Sequence, residues 1–227
     1  MLCYVQIFLT VPRNFILSKK IQAVIFDMDG VLIDAKDWHY EALNKALGLF
    51  GFKISRHDHL VTFDGLPTRD KLEMLSQEGG LPRNLHGLIN KLKQKYTMQI
   101  VYEKCAPNFI HQYALAKLKK QGYKLAVASN SIRNSISVMM EASELNDFLN
   151  FFLSNEDVSK GKPNPEIYNK AITRLGLKPS QCLIVEDNPN GLEAAYASGA
   201  NVLEVQTVDD TNYDNIINRI NELERQQ

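Results

Sequence analysis

Ala23-Val24-Ile25-Phe26-Asp27-Met28-Asp29-Gly30 carries four apolar residues straight into two aspartates and a glycine. The run does not alternate with polar residues, so the strand it predicts is buried on both faces, as in a parallel sheet. The same grammar returns twice downstream. Leu125-Ala126-Val127-Ala128 ends in Ser129-Asn130-Ser131, and Cys182-Leu183-Ile184-Val185 ends in Glu186-Asp187-Asn188. Phe151-Phe152-Leu153 and Val202-Leu203 supply two further short apolar runs. Between these runs, apolar residues recur at helical spacing over 107–120 (Phe109, Ile110, Tyr113, Ala114, Leu118) and over 165–175 (Ile167, Tyr168, Ala171, Ile172, Leu175). Gly122 and Gly176 then fall where helices stop. Strand alternating with helix predicts an α/β fold built on a doubly wound parallel sheet.

The stretch 35–103 breaks the alternation. Trp38 to Phe50, Thr68 to Ser76 and Leu85 to Tyr96 read as amphipathic helices, and no buried-strand pattern lies among them. This predicts an all-helical cap over residues 35–103, inserted into an α/β core of residues 21–34 and 104–227. The tail from Asp209 carries Ile216, Ile217, Ile220 and Leu223 on one helical face, which is expected to pack on the core.

In open α/β sheets, ligands bind beyond the carboxyl ends of the strands. That rule gathers Asp27, Asp29, Ser129, Glu186 and Asp187 on one rim, joined by Lys162 from Lys160-Gly161-Lys162-Pro163-Asn164-Pro165. Taken singly, each motif has an ordinary structural reading: Asp-x-Asp-Gly as a turn, Ser-Asn-Ser as a helix cap, Glu-Asp as capping charge, Lys162 as a solvated lysine. Four of them in order, each after a strand, read differently. Like charges about 4 Å apart repel by about 4 kcal/mol at an effective dielectric of about 20. Four clustered carboxylates therefore call for a hard divalent cation, and oxygen ligands favour Mg²⁺. Ser129 and the N–H groups after it suit a phosphate. Carboxylates, Mg²⁺, one lysine and one serine describe a phosphoryl-transfer site.

These motifs resemble, in order, the four signatures of the haloacid dehalogenase superfamily. The first is Phe26-Asp27-Met28-Asp29-Gly30-Val31-Leu32-Ile33-Asp34. The second is Ser129-Asn130-Ser131, the third Lys162-Pro163-Asn164-Pro165-Glu166-Ile167-Tyr168, and the fourth Val185-Glu186-Asp187-Asn188-Pro189-Asn190-Gly191. The likeness covers Ile21 to Val205, and the insert is similar to the helical cap of the β-phosphoglucomutase and sugar-phosphate phosphatase subgroup. It implies Asp27 as the nucleophile that forms an aspartyl-phosphate, and Asp29 as general acid and then base. It implies Mg²⁺ held by the Asp27 carboxylate, the Asp29 backbone carbonyl and Asp187, with Glu186 supporting directly or through water. Ser129 and the Asn130 N–H would bind phosphate oxygens, and Lys162 would neutralise the transferring group.

The cap matches in part. His39 stands where related enzymes carry a substrate-side histidine, and Gly65-Leu66-Pro67-Thr68-Arg69 matches the cap's specificity loop. β-Phosphoglucomutases carry an Arg at the position of Thr68 and a Thr at that of Ala35. Arg69 is one place along, which on a helix turns a side chain by ~100°. These departures set a phosphatase of a sugar or polyol phosphate ahead of a phosphomutase. A catalytically silent binding protein is the non-enzyme alternative. A dehalogenase lacks the second aspartate, and a receiver domain lacks a helical lid.

Composition sets the outer bounds. The 227 residues include 26 basic and 26 acidic side chains and are 44% hydrophobic, which excludes a disordered or fibrous chain. Balanced charge gives no source for nucleic-acid binding, and no apolar run reaches the ~20 residues of a membrane span. Cys3, Cys105 and Cys182 are odd in number and far apart, so a reduced, cytoplasmic setting is expected. A monomer or weak homodimer is expected. His57 and His59 are expected in a solvated loop rather than as metal ligands. Residues 1–20 read as an N-terminal extension, with translation expected to begin near Leu17; a native N-terminal peptide containing Cys3 would contradict that.

Overall fold

The computed structural model describes residues 20–63 and 65–225; the expectations for residues 1–19 lie outside them. Five strands form one sheet: β1 (Ala23–Phe26), β2 (Lys124–Ala128), β3 (Phe151–Leu153), β4 (Cys182–Glu186) and β5 (Asn201–Glu204). Their order is β3-β2-β1-β4-β5, and every pairing is parallel. Ala23 lies beside Lys124 on one side and Cys182 on the other, so the first strand is central and its end is flanked by the ends of β2 and β4.

Strand residues point alternately to opposite faces, and the two faces of β1 go to two cores. Val24 and Phe26 join the cluster with Leu125, Val127, Leu183 and Val185. That cluster is closed by α5 (Phe109–Lys120), α6 (Arg133–Ala142) and α9 (Tyr213–Arg225). Ala23 and Ile25 join Cys182 and Ile184 under α7 (Glu166–Leu175) and α8 (Pro189–Ala197). Helices on both faces of a parallel sheet make the doubly wound α/β architecture expected from the apolar runs. The tail helix buries Ile216, Ile220 and Leu223, as its spacing predicts.

The stretch after β1 is helical: α1 (Lys36–Gly48), α2 (Arg56–Asp58), α3 (Thr68–Gly79) and α4 (His86–Lys104). A third apolar cluster holds α1, α3 and α4 together through Leu43, Leu47, Leu72 and Ile89, with Phe63 from the turn after α2.

Two local readings differ. The helix expected to end at Tyr96 continues to Lys104. Thr97, Ile100 and Val101 are weak helix formers, but their spacing buries all three, and Val101 enters the large core cluster. Tertiary burial overrides propensity there. The second correction concerns His59, which is buried in the π-helical turn His59–Phe63, with its ring 4.8 Å from that of Tyr40. His57 remains exposed. Only His59 and Phe63, four residues apart and so on one face of the turn, are buried over 56–63, which a composition reading of Arg56-His57-Asp58-His59 does not distinguish.

Candidate active site

Asp27 follows β1 directly and is tied to β4 by its N–H, which donates to the Val185 carbonyl at 3.0 Å. Its carboxylate is nearly buried, and Lys162 Nζ donates to Oδ1 at 2.6 Å. The same ammonium donates to Glu186 Oε1 at 2.6 Å and lies 4.6 Å from the centre of the Tyr168 ring. Glu186 is saturated by donors. Its Oε1 also accepts from the Tyr168 hydroxyl at 2.7 Å, while Oε2 accepts the N–H groups of Asp187 and Asn188 at 2.9 and 3.2 Å. Gly191 makes this possible, since a Cβ there would fall 1.9 Å from Glu186 Oε1.

Oxygens of Asp27, Glu186 and Asp187 all lie within 4.8 Å of one another. Three hard oxygen donors at that spacing fit a divalent cation such as Mg²⁺. Asp187 is fully buried at its side chain and pairs with Lys36 Nζ at 2.6 Å. The turn that brings them together needs Gly30: its φ is +91°, and a Cβ there would lie 2.2 Å from Asp187 Oδ2.

Asp29 turns its carboxylate away from that cluster. Oδ1 lies 3.0 Å from His39 Nε2, and Oδ2 accepts from the Ser131 hydroxyl at 2.8 Å. Lys93 Nζ stands 3.1 Å from His39 Nδ1, so α4 and α1 both reach the loop after β1. Electrostatics separate the two aspartates. Burial, with Glu186, Asp29 and Asp187 nearby, pushes Asp27 well up despite Lys162. Burial works the same way on Asp29, but His39 and Ser131 outweigh it and hold Asp29 below the usual carboxylate range. His39 is held down by burial and by Lys93. Lys93 is pushed down to about 8, by burial first and Lys71 second.

The remaining expected residues fall in place around one cavity of about 370 Å³. Ser129 is buried at its floor and accepts the Ser131 N–H at 3.1 Å. Asn130 uses its side chain structurally: Oδ1 accepts the Lys162 N–H at 3.0 Å, and Nδ2 donates to the carbonyls of Lys162 and Gly65 at 3.3 Å. It thereby ties the loop at Gly65 to the core. Thr68 and Arg69 line the cavity from the cap side, but Arg69 is 88% exposed at its side chain and pairs with Asp70. Sequence reasoning did not single out Lys36, Lys71, Lys93, Ser131 or Tyr168. Ser131 and Tyr168 stood inside quoted motifs and were the legible ones; the three lysines come from cap helices whose packing no spacing rule shows.

A family model described as haloacid dehalogenase-like hydrolase matches residues 24–205. A phosphorylated carbohydrates phosphatase of Thermotoga maritima is 28% identical over 178 residues, covering 78% of this chain and 82% of that protein. A pyrophosphatase PpaX of Anoxybacillus flavithermus is 26% identical over 190 residues, covering 79% and 80%. Among solved structures, a β-phosphoglucomutase from Clostridium difficile superposes with a TM-score of 0.78 at 22% identity, over 89% of this chain and 98% of that one. That likeness bears on the fold. No helix among the described residues is long and apolar enough to cross a membrane. With the ordered motifs on one rim and the family match spanning most of its length, the chain belongs to the haloacid dehalogenase-like hydrolase family, as an enzyme of the phosphatase type.

Proposed function

We propose that this protein is a Mg²⁺-dependent phosphatase of a small phosphorylated metabolite, a sugar or polyol phosphate, and that it works through an aspartyl-phosphate on Asp27. The observation that carries this reading is the placement of Asp27. Its carboxylate is backed by Lys162 at 2.6 Å and sits in a buried group of oxygen donors, with a second aspartate two residues on and wired to different partners.

The Ser129 hydroxyl, the Asn130 N–H and Lys162 bind and orient the phosphate oxygens. An Asp27 carboxylate oxygen attacks phosphorus, forming the acyl-phosphate bond as the bond to the substrate oxygen breaks. Asp29 delivers a proton to that leaving oxygen. His39 Nε2, 3.0 Å from its Oδ1, and the Ser131 hydroxyl, 2.8 Å from its Oδ2, orient the Asp29 carboxyl for that transfer. Asp29 then takes a proton from water, which attacks phosphorus and releases Asp27 and inorganic phosphate. Asp27, Asp187 and the Asp29 backbone carbonyl, with Glu186 behind them, would hold Mg²⁺, which would supply positive charge against the repulsion between an anionic nucleophile and an anionic phosphate.

We assign residues 35–103 the role of cap, with His39, Thr68 and Arg69 facing the substrate. Thr68 brings a hydroxyl and no charge to the cavity, which favours release of phosphate over capture of a bisphosphate. The free thiols of Cys105 and Cys182 support a reducing, cytoplasmic setting.

The test is phosphate release from a panel of sugar, polyol and glycolate phosphates and pyrophosphate with Mg²⁺. Release that Asp27→Asn and EDTA both abolish supports the reading. Conversion of a sugar monophosphate only with a sugar bisphosphate present, without release, would replace it by the mutase. No turnover of any kind would leave a binding protein.

A further inference from the structure

We propose that Lys36 is a built-in competitor for the divalent cation, an ammonium group seated on Asp187 that holds the metal affinity of this site down. The inference rests on reading the site as a metal-dependent hydrolase centre. Its consequence is that turnover would follow the free divalent-cation concentration rather than saturate at trace metal.

Two lysines enter the carboxylate cluster, and they differ. Lys162 is 4% exposed at its side chain and bridges Asp27 and Glu186, so it is locked in place. Lys36 reaches the cluster from its solvent side. Its side chain is 31% exposed, while the Asp187 carboxylate it pairs with is fully buried. A lysine on a flexible four-carbon stem that is partly exposed can swing out; one enclosed on all sides cannot.

The donor inventory makes Asp187 the decisive ligand. Glu186 already accepts from Lys162, Tyr168 and two backbone N–H groups. Asp27 already carries Lys162 on Oδ1. Three carboxylates against Lys162 alone leave a charge of about −2 for an incoming dication, and Lys36 reduces it to about −1. A divalent ion must either displace the Lys36 ammonium or bind beside it.

The backbone is shaped for the pair. A Cβ on Gly30 would lie 2.2 Å from Asp187 Oδ2 and 2.7 Å from Lys36 Cε, so the glycine leaves room for both partners at once. Lys36 is also the first residue of α1, which places the competing charge where the cap joins the core.

The experiment is calorimetric titration of the full chain with MgCl₂, comparing wild type, Lys36→Met and Lys36→Arg. Circular dichroism checks folding, and Lys36→Gln repeats the measurement if the methionine variant does not fold. Lys36→Met is expected to bind Mg²⁺ about tenfold more tightly than wild type, and Lys36→Arg to bind like wild type. Equal affinity in Lys36→Met and wild type overturns the proposal while leaving the metal centre standing. Absence of Mg²⁺ uptake by wild type and variants, all folded, overturns the proposal and the metal-centre reading together. Tighter binding in Lys36→Met without phosphate release from any form would keep the competitor and reject the phosphatase.

Discussion

His39 Nε2 lies 3.0 Å from Asp29 Oδ1, joining the first helix of the cap to the loop that leaves the central strand. The contact holds the aspartate low, and its removal has a definite sign. The stability that Asp29 contributes is present above its unfolded value near 3.9 and is lost as pH falls through its lowered folded value. In His39→Ala the folded value rises toward the unfolded one, so this contribution shrinks and its loss is complete at a higher pH. The acid limb of the activity profile moves up with it, and kcat falls by about a hundredfold. Activity and thermal unfolding measured from pH 3 to 8, as a range of about five units, check both effects; an unmoved acid limb would separate His39 from the proton.

Lys162 neutralises two buried carboxylates at once. Lys162→Met leaves Asp27 and Glu186 without their shared cation, and breaking a buried pair by removing one partner costs about 3–5 kcal/mol. Urea unfolding should show that loss, in company with near-complete loss of turnover.

Lys93 titrates near 8 in the folded chain, lowered by burial and by Lys71. Between about 8 and its unfolded value of about 10.4, the unfolded chain binds more protons than the folded one. Stability therefore gains a rising contribution from Lys93 across that window. Lys93→Met should remove the rise, which unfolding curves at pH 7.5 and pH 10, about the two ends of the window, would reveal.

Tyr168 is a positioning residue for Glu186. Tyr168→Phe deletes one hydrogen bond to a buried charge, worth about 1.5–3 kcal/mol, and leaves the ring beneath Lys162. The expected result is lower stability and about a tenfold lower kcat with KM little changed. A change in KM alone would place Tyr168 against the substrate instead.

The parts legible in the sequence were those that local chemistry imposes. Four-residue apolar runs such as Ala23–Phe26 have few structural outcomes, and a polar motif directly after each run lands on the rim whatever the packing. The illegible parts depend on distant elements meeting. Nothing in the sequence marks Lys36 or Lys93, and only the docking of α1 and α4 over the rim brings one to Asp187 and the other to His39. The end of α4 is hidden for a related reason: Thr97, Ile100 and Val101 are helical because their neighbours bury them. The burial of His59 is hidden from sequence because one residue's burial in a polar tetrad depends on what packs against it, here the ring of Tyr40.

The proposed mechanism turns on Asp27 as the nucleophile. The most direct test is to quench a turnover with a substrate labelled in its phosphoryl group and to map the label by peptide mass spectrometry. The expected result is a hydroxylamine-sensitive phosphoryl group on the peptide containing Asp27, lost in Asp27→Asn and accumulating in Asp29→Ala, where the water is not activated. Turnover that continues in Asp27→Asn, or label found on any other side chain, would contradict it.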